Sequence, residues 1–316
     1  MHVGTGYDQF FHTGVHGPFN DRRQVLCKGT AGQIDADINI FVHIGYDNAA
    51  MLQPEPRIAI VCHSNLRLPQ ARVLSEQAGL PLIKPASLKK HAGEYDLQLR
   101  FYDAIVDLYD RHLDTSICVD FLGGPLAHRQ QFGGGSGQAI ARAVGIRSGK
   151  RPVILDATAG LAGDAFVLAT LGCPLTLIER SPVLYVLLQD AIQRAGLNEG
   201  FQPVLQQGFE LIHADAREYI KQQLQKDAVR PDVIYIDPMY PERKKSALVK
   251  KDMQILQRLH GKDEDAGELL ETALLFADKR VVVKRPSHAE TLNERKPGTC
   301  ISSKKTRYDI YALKKM

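Results

Sequence analysis

From Arg151 onward the chain alternates between short β-branched runs and helix-length amphipathic ones. "PVILDATAG" reads as a strand entering a glycine turn, and "GDAFVLATLG" as a helix stopped by glycine. "PLTLIER", "LIHADA", "DVIYIDPMY" and "KRVVVKRP" read as further strands. "PVLYVLLQDAIQRAG", "REYIKQQLQK" and "AGELLETALLFA" are the helices between them. Such alternation dictates βαβ units and a mostly parallel sheet. The closing "TCISSKKTRYDIYAL" reads as two short strands and a turn, a natural antiparallel addition at a sheet edge. The fold class is therefore α/β, and a ligand belongs at the carboxyl ends of the strands, near the switch in strand order.

Upstream, the pattern is looser. "RIAIVC", the helix-like "LPQARVLSEQAGL", "LQLRF" and "ICVDFLGG" make a small α/β unit. A glycine-rich connection follows, in which Gly133, Gly134 and Gly135 permit positive φ, and the helix "GQAIARAVGI" leads out of it. Residues 1–50 mix Gly, His and Asp, with only "INIFVHI" (Ile38–Ile44) strand-like. They read as an extension, and Met51 as a candidate native start. The expected division is 1–50 extension, 51–135 small N-terminal α/β subdomain with its connection, and 136–316 main domain.

Bulk properties exclude several classes. With 316 residues, 44% of them apolar, the chain can bury a sizeable core. It has no apolar run of membrane-spanning length. The first twenty residues lack the basic and apolar regions of a secretory signal. Cys27, Cys62, Cys118, Cys173 and Cys300 are odd in number, widely spaced and form no CxxC, which argues for a reducing, cytoplasmic setting and against a zinc site. The net charge is +4, yet Glu242–Met316 alone holds 18 basic and 11 acidic residues. A basic C-terminal quarter points to a polyanionic partner, or more blandly to a lysine-rich solvated face.

Four strand ends carry acids. Asp156 ends the first strand of the regular region, and Gly160 and Gly163 follow in a turn through which backbone can approach a ligand. The turn is neither a P-loop nor a G-x-G-x-x-G fingerprint. Glu179 ends the next strand, where an acid can accept both hydroxyls of a ribose. Asp215 follows the third and can accept from an adenine amino group. Asp237 ends the fourth, followed by Pro238, Met239, Tyr240 and Pro241. That turn offers acceptors beside an aromatic face, which suits a planar base bearing an exocyclic amine. Each acid alone is an ordinary strand terminus; the ordered series describes a nucleoside pocket with an amine acceptor.

The series resembles the motifs of class I S-adenosylmethionine-dependent methyltransferases, and "DPMY" is similar to the D-P-P-Y of amino-group enzymes, departing at Met239. "VDFLGGPLAHRQQFGGGSGQAIARAVGI", "DATAGLAGDAFVLATLGC", "DPMYPERKKSALVKK", "KRVVVKRP" and "RYDIYAL" together resemble the ribosomal RNA small subunit methyltransferase J (RsmJ) family, from about Arg57 to Leu313. The resemblance implies a Rossmann-like fold with a seven-stranded, mostly parallel sheet. It also implies methylation of a guanosine N2 in 16S rRNA, with S-adenosyl-L-methionine as cofactor and S-adenosyl-L-homocysteine as product. By similarity, cofactor contacts fall on Gly163, Asp164, Glu179, Arg180, Asp215, Ala216 and Asp237, beside Asp156 and Gly160. Asp237, Pro238 and Tyr240 are the expected catalytic group, with no metal and no membrane involved. Lys244, Lys245, Lys250, Lys251, Lys284 and Arg285 are the expected RNA contacts, and His128 and Arg129 could cover the cofactor or touch RNA. Competing readings are an amino-group methyltransferase acting on other nucleic acid or protein, and a non-catalytic RNA-binding assembly factor.

Overall fold

The computed structural model describes residues 56–91, 93–123, 137–239, 251–260, 265–303 and 305–316. The expected strand Ile38–Ile44, the candidate start Met51 and the glycines 133–135 lie outside these residues.

The N-terminal part is a five-stranded sheet. Its strands are β1 (Ile58–Cys62), β2 (Leu82–Ile83), β3 (Leu97–Phe101), β4 (Val106–Asp110) and β5 (Thr115–Ile117), in the order β2-β1-β3-β4-β5. β1 runs parallel to β2 and β3, while β3, β4 and β5 form an antiparallel meander. Helix α1 (Leu68–Ala78) connects β1 to β2; proline sits in its first turn, and Gly79 ends it at φ 64, in the left-handed region. One strand, β4, has no counterpart in the sequence reading, and one expected strand differs from it. β4, "VDLYD", reads as polar, yet Asp107 and Asp110 are both buried. Arg100 holds Asp107 through two hydrogen bonds of 2.8 and 2.6 Å, which lets a charged sequence form an inner strand. Of the strand expected over "ICVDFLGG" only Ile117 is in a strand, as the last residue of β5, and residues 118–123 are not strand.

The larger sheet has seven strands: β6 (Ile154–Asp156), β7 (Leu175–Glu179), β8 (Phe209–His213), β9 (Val233–Ile236), β10 (Arg280–Pro286), β11 (Thr299–Ser302) and β12 (Thr306–Ala312). Their order is β11-β12-β10-β9-β6-β7-β8. β8, β7, β6, β9 and β10 are parallel neighbours, and β12 and β11 add antiparallel as the terminal hairpin. The helices are α2 (Ala139–Val144), α3 (Gly163–Thr170), α4 (Pro182–Gly196), α5 (Gln202–Gln206), α6 (Ala216–Gln225), α7 (Lys251–His260) and α8 (Ala266–Phe276). The chain leaves β6 outward through β7 and β8, then returns to the other side as β9. The switch point therefore lies between β6 and β9, where a parallel sheet opens a crevice.

Residue parity along these strands sorts side chains between two faces. Leu155, Ile178, Ile234, Ile236, Val281 and Val283 pack on one face with Ile220 of α6 and Leu270 and Phe276 of α8. Ile154, Leu177, Tyr235 and Val282 join the opposite cluster, which runs on into Ile60, Leu97, Leu99 and Phe101 of the first sheet. The two sheets thus share one apolar cluster. Phe121 is the junction: it stacks on Phe166 at 5.1 Å and on Phe201 at 5.8 Å, and meets Phe209 edge-on. The polar counterpart is Asp190 of α4, fully buried, which accepts from Arg67 Nη1 (2.5 Å), Arg194 Nε (2.8 Å) and the Val106 amide (3.2 Å). Among the described residues no helix is long and apolar enough to cross a membrane.

Candidate active site

The crevice is built from the four strand ends. Glu179 closes β7 and is buried; one carboxylate oxygen accepts from the Ser181 amide at 2.7 Å, the other from the Gly160 amide at 2.9 Å. The second bond ties the turn after β6 to the end of β7. Gly160 adopts φ +57, and a Cβ there would meet only the Thr158 carbonyl oxygen, at an ordinary 3.9 Å, so strain rather than crowding calls for glycine. Ala162 is also left-handed, and α3 starts at Gly163 immediately after it. Asp156 is 3% exposed and accepts from the Thr158 amide at 3.0 Å. Burial, together with the Asp237, Asp164 and Glu179 carboxylates, pushes its pKa up to about 8 against that amide's pull.

Asp215 caps α6, accepting from the Arg217 and Glu218 amides and from the Arg217 guanidinium. Burial disfavours its ionised form, but Arg217 and the two amides outweigh it and hold the carboxyl below its ordinary value. The acid expected to meet adenine is thus also a helix cap. Ala216, beside it, is buried, and Arg180 pairs with Asp265 at 2.9 Å.

The turn after β9 is pinned at both ends of Asp237. Its amide donates to Thr158 Oγ1 at 2.7 Å, linking it to the β6 turn. Its Oδ2 accepts from Lys284 Nζ at 2.7 Å, and the same ammonium donates to Asp164 Oδ2 at 2.8 Å. Asp164 Oδ2 also accepts from the Tyr235 hydroxyl at 2.7 Å. Burial alone would lower the Lys284 pKa, but the Asp237 and Asp164 carboxylates together raise it above the usual lysine value. Pro238 is buried, and Met239 packs partly buried against the large apolar cluster. That contact gives the methionine an apolar neighbourhood behind the turn, which a flexible thioether side chain suits.

The expected RNA contacts divide. Tyr240, Lys244, Lys245, Lys250, His128 and Arg129 lie outside the described residues. Lys251 is exposed at the start of α7 and donates to the Leu113 carbonyl at 3.3 Å. Lys284 and Arg285 do not present themselves as phosphate contacts. Lys284 is held between two carboxylates, and Arg285 is 7% exposed and donates to the Glu290 carbonyl. Adjacent residues of a strand point to opposite faces, so the pair "KR" cannot act as one basic patch here. Sequence reading missed Thr158, Tyr235 and the inward role of Lys284. A signal existed for the last: a lysine inside the run "VVVKRP" must find buried anions or leave the strand.

Asp156, Asp164, Glu179, Asp215 and Asp237, with glycine at the turn, form an acid-rich crevice. It fits a cofactor carrying a sulfonium, an ammonium and a ribose.

Comparison with known proteins agrees with this chemistry. A family model described as SAM-dependent methyltransferase matches residues 81–313. A ribosomal RNA small subunit methyltransferase J of Aeromonas hydrophila is 45% identical over 258 residues, 80% of this chain and 97% of the relative. The protein of the same name from Vibrio parahaemolyticus is 50% identical over 250 residues, covering 77% and 96%. A crystallised SAM-dependent methyltransferase of Neisseria gonorrhoeae superposes with a TM-score of 0.61 at 32% identity, covering 80% of this chain and 95% of that one.

Proposed function

The chain belongs to the ribosomal RNA small subunit methyltransferase J family, and from that premise we propose that it methylates the exocyclic N2 of a guanosine in 16S rRNA, free or within the small ribosomal subunit. The observation that carries the reading is the Asp237–Pro238 turn, which hangs at the switch point beside the glycine turn and is bonded to it through Thr158. S-adenosyl-L-methionine, when bound, supplies a methyl group on a cationic sulfur that leaves as a neutral thioether. Asp156, Gly160, Gly163, Asp164, Glu179, Arg180, Asp215 and Ala216 are the residues proposed to hold it.

The amine itself is a poor nucleophile, because its lone pair is conjugated with the ring. The Asp237 carboxylate and the Pro238 carbonyl accept its N–H bonds, which pushes density onto nitrogen and orients the lone pair. As the N–C bond forms, the departing proton passes to Asp237 and then to water. Positioning and exclusion of water supply the acceleration. The base must be unstacked to enter, so the target is single-stranded or flipped out. Tyr240 is proposed to stack on it, and Lys244, Lys245, Lys250 and Lys251 to meet neighbouring phosphates. The compartment that fits this substrate is the cytoplasm.

Nucleoside mass spectrometry of small-subunit rRNA, from cells with and without the gene, tests the reading. Deletion should remove one N2-methylguanosine; Asp237→Ala should fail to restore it. An unchanged N2-methylguanosine content on deletion refutes the assignment.

A further inference from the structure

Resting on that function, we propose that Lys284 is a positioning residue for methyl transfer, locking the Asp237 carboxylate against Asp164 in the orientation that meets the amine. The ammonium sits on β10, a strand whose first four residues after Arg280 are Val281, Val282, Val283 and Lys284. An ammonium is costly to place in such a strand unless its charge is matched. Here it is matched twice, by carboxylates on two other elements: Asp164 in the first turn of α3, and Asp237 at the end of β9. Both contacts, at 2.7 and 2.8 Å, are charge-assisted hydrogen bonds.

The chain of contacts is anchored at its far end. Asp164 is fixed by the hydroxyl of Tyr235, which is itself buried in β9 two residues before Asp237. Asp237 is therefore held by its amide through Thr158 and by its carboxylate through Lys284. Such double anchoring removes rotamer freedom from the group that must aim a weak nucleophile. It also separates the charges of two acids that would otherwise repel across the crevice. An ammonium neutralised in this way contributes little to holding an RNA backbone, so the positioning role and a phosphate-contact role make opposite kinetic predictions.

The test is steady-state methylation of small-subunit RNA by full-length Lys284→Met, at saturating cofactor. Cofactor affinity is measured alongside by calorimetry. The expected result is a fall in kcat of about 10- to 100-fold. KM for RNA should stay within about threefold of wild type, with its salt dependence unchanged. Lys284→Arg, which keeps the charge, should recover part of the rate. Asp164→Asn keeps an acceptor oxygen but removes one of the two charges that match the lysine, and, measured at saturating cofactor, is the independent arm should Lys284→Met not bind cofactor. It too should lose kcat and keep KM. A wild-type kcat in Asp164→Asn or Lys284→Met overturns the proposal. So does a raised KM with a flattened salt dependence and an intact kcat, which would make Lys284 a phosphate contact. Inactive wild-type protein on this RNA would instead overturn the function on which the proposal rests.

Discussion

Replacing Asp156 with asparagine should remove a pH dependence from the stability of the fold. The carboxyl is 3% exposed, and burial, with three neighbouring acids, places its pKa at about 8 against an ordinary 3.8. The folded-state value is the raised one, so between those limits the folded protein holds a proton that the unfolded chain has released. Stability contributed by this group is complete below pH 3.8 and is lost as pH rises toward 8. Through that window the loss is about 1.4 kcal/mol per pH unit, or about 3 kcal/mol between pH 5 and pH 7. Asparagine has the shape of the protonated acid and keeps an oxygen for the Thr158 amide, so it should fold alike without titrating. Urea denaturation of both proteins at pH 5 and pH 7 measures the difference. Other groups with shifted values, Glu210 and His213 among them, are common to both proteins and cancel in the comparison. The variant should gain about 3 kcal/mol relative to wild type over the two units. Parallel pH dependences would show that Asp156 is ionised in the crevice, and would refute the reasoning.

Asp190→Ala strips one buried anion from two arginines and the Val106 amide. Because both arginines retain some exposure, the loss should sit near the lower end of the range for a broken buried pair, about 3 kcal/mol by urea denaturation. Tyr235→Phe leaves Asp164 one donor short and should cost about 1–2 kcal/mol of stability in the same assay, while weakening cofactor binding by calorimetry. Burial pushes the Cys173 thiol up to about 12, whereas Cys300 is exposed. At pH 8 a thiol reagent followed by peptide mass spectrometry should find Cys300 labelled within minutes and Cys173 only after unfolding.

The parallel sheet was legible because each inner strand is apolar on both faces and each intervening helix has its own stop. "PVLYVLLQDAIQRAG" matches α4 residue for residue, from Pro182 to Gly196. The acids at the strand ends were legible for the same reason, since a carboxylate after an apolar run marks where the sheet meets solvent or a ligand. What could not be read was pairing across long separations. Lys284 finds Asp237 at 47 residues' distance and Asp164 at 120, and no local pattern announces either. The same blindness hid β4, whose Asp110 is satisfied by Arg258 of α7, a helix the sequence reading also passed over. Nor does the adjacency of Lys284 and Arg285 announce that strand geometry sends the two to opposite faces, with Arg285 buried against the Glu290 carbonyl.

Phe121, wedged among Phe166, Phe201 and Phe209, has an evolutionary consequence. A chain whose two sheets met through a wet, polar seam could exchange its N-terminal half with a relative's and lose little. Here the ring of one half completes the interior of the other, so substitutions at the four positions must compensate one another in volume and tilt. Chimaeras joined between residues 123 and 137 should accordingly fold in proportion to how well their donors agree at these four aromatics, and poorly in proportion to overall identity alone. The N-terminal sheet, on this view, shares its interior with the larger sheet through these rings.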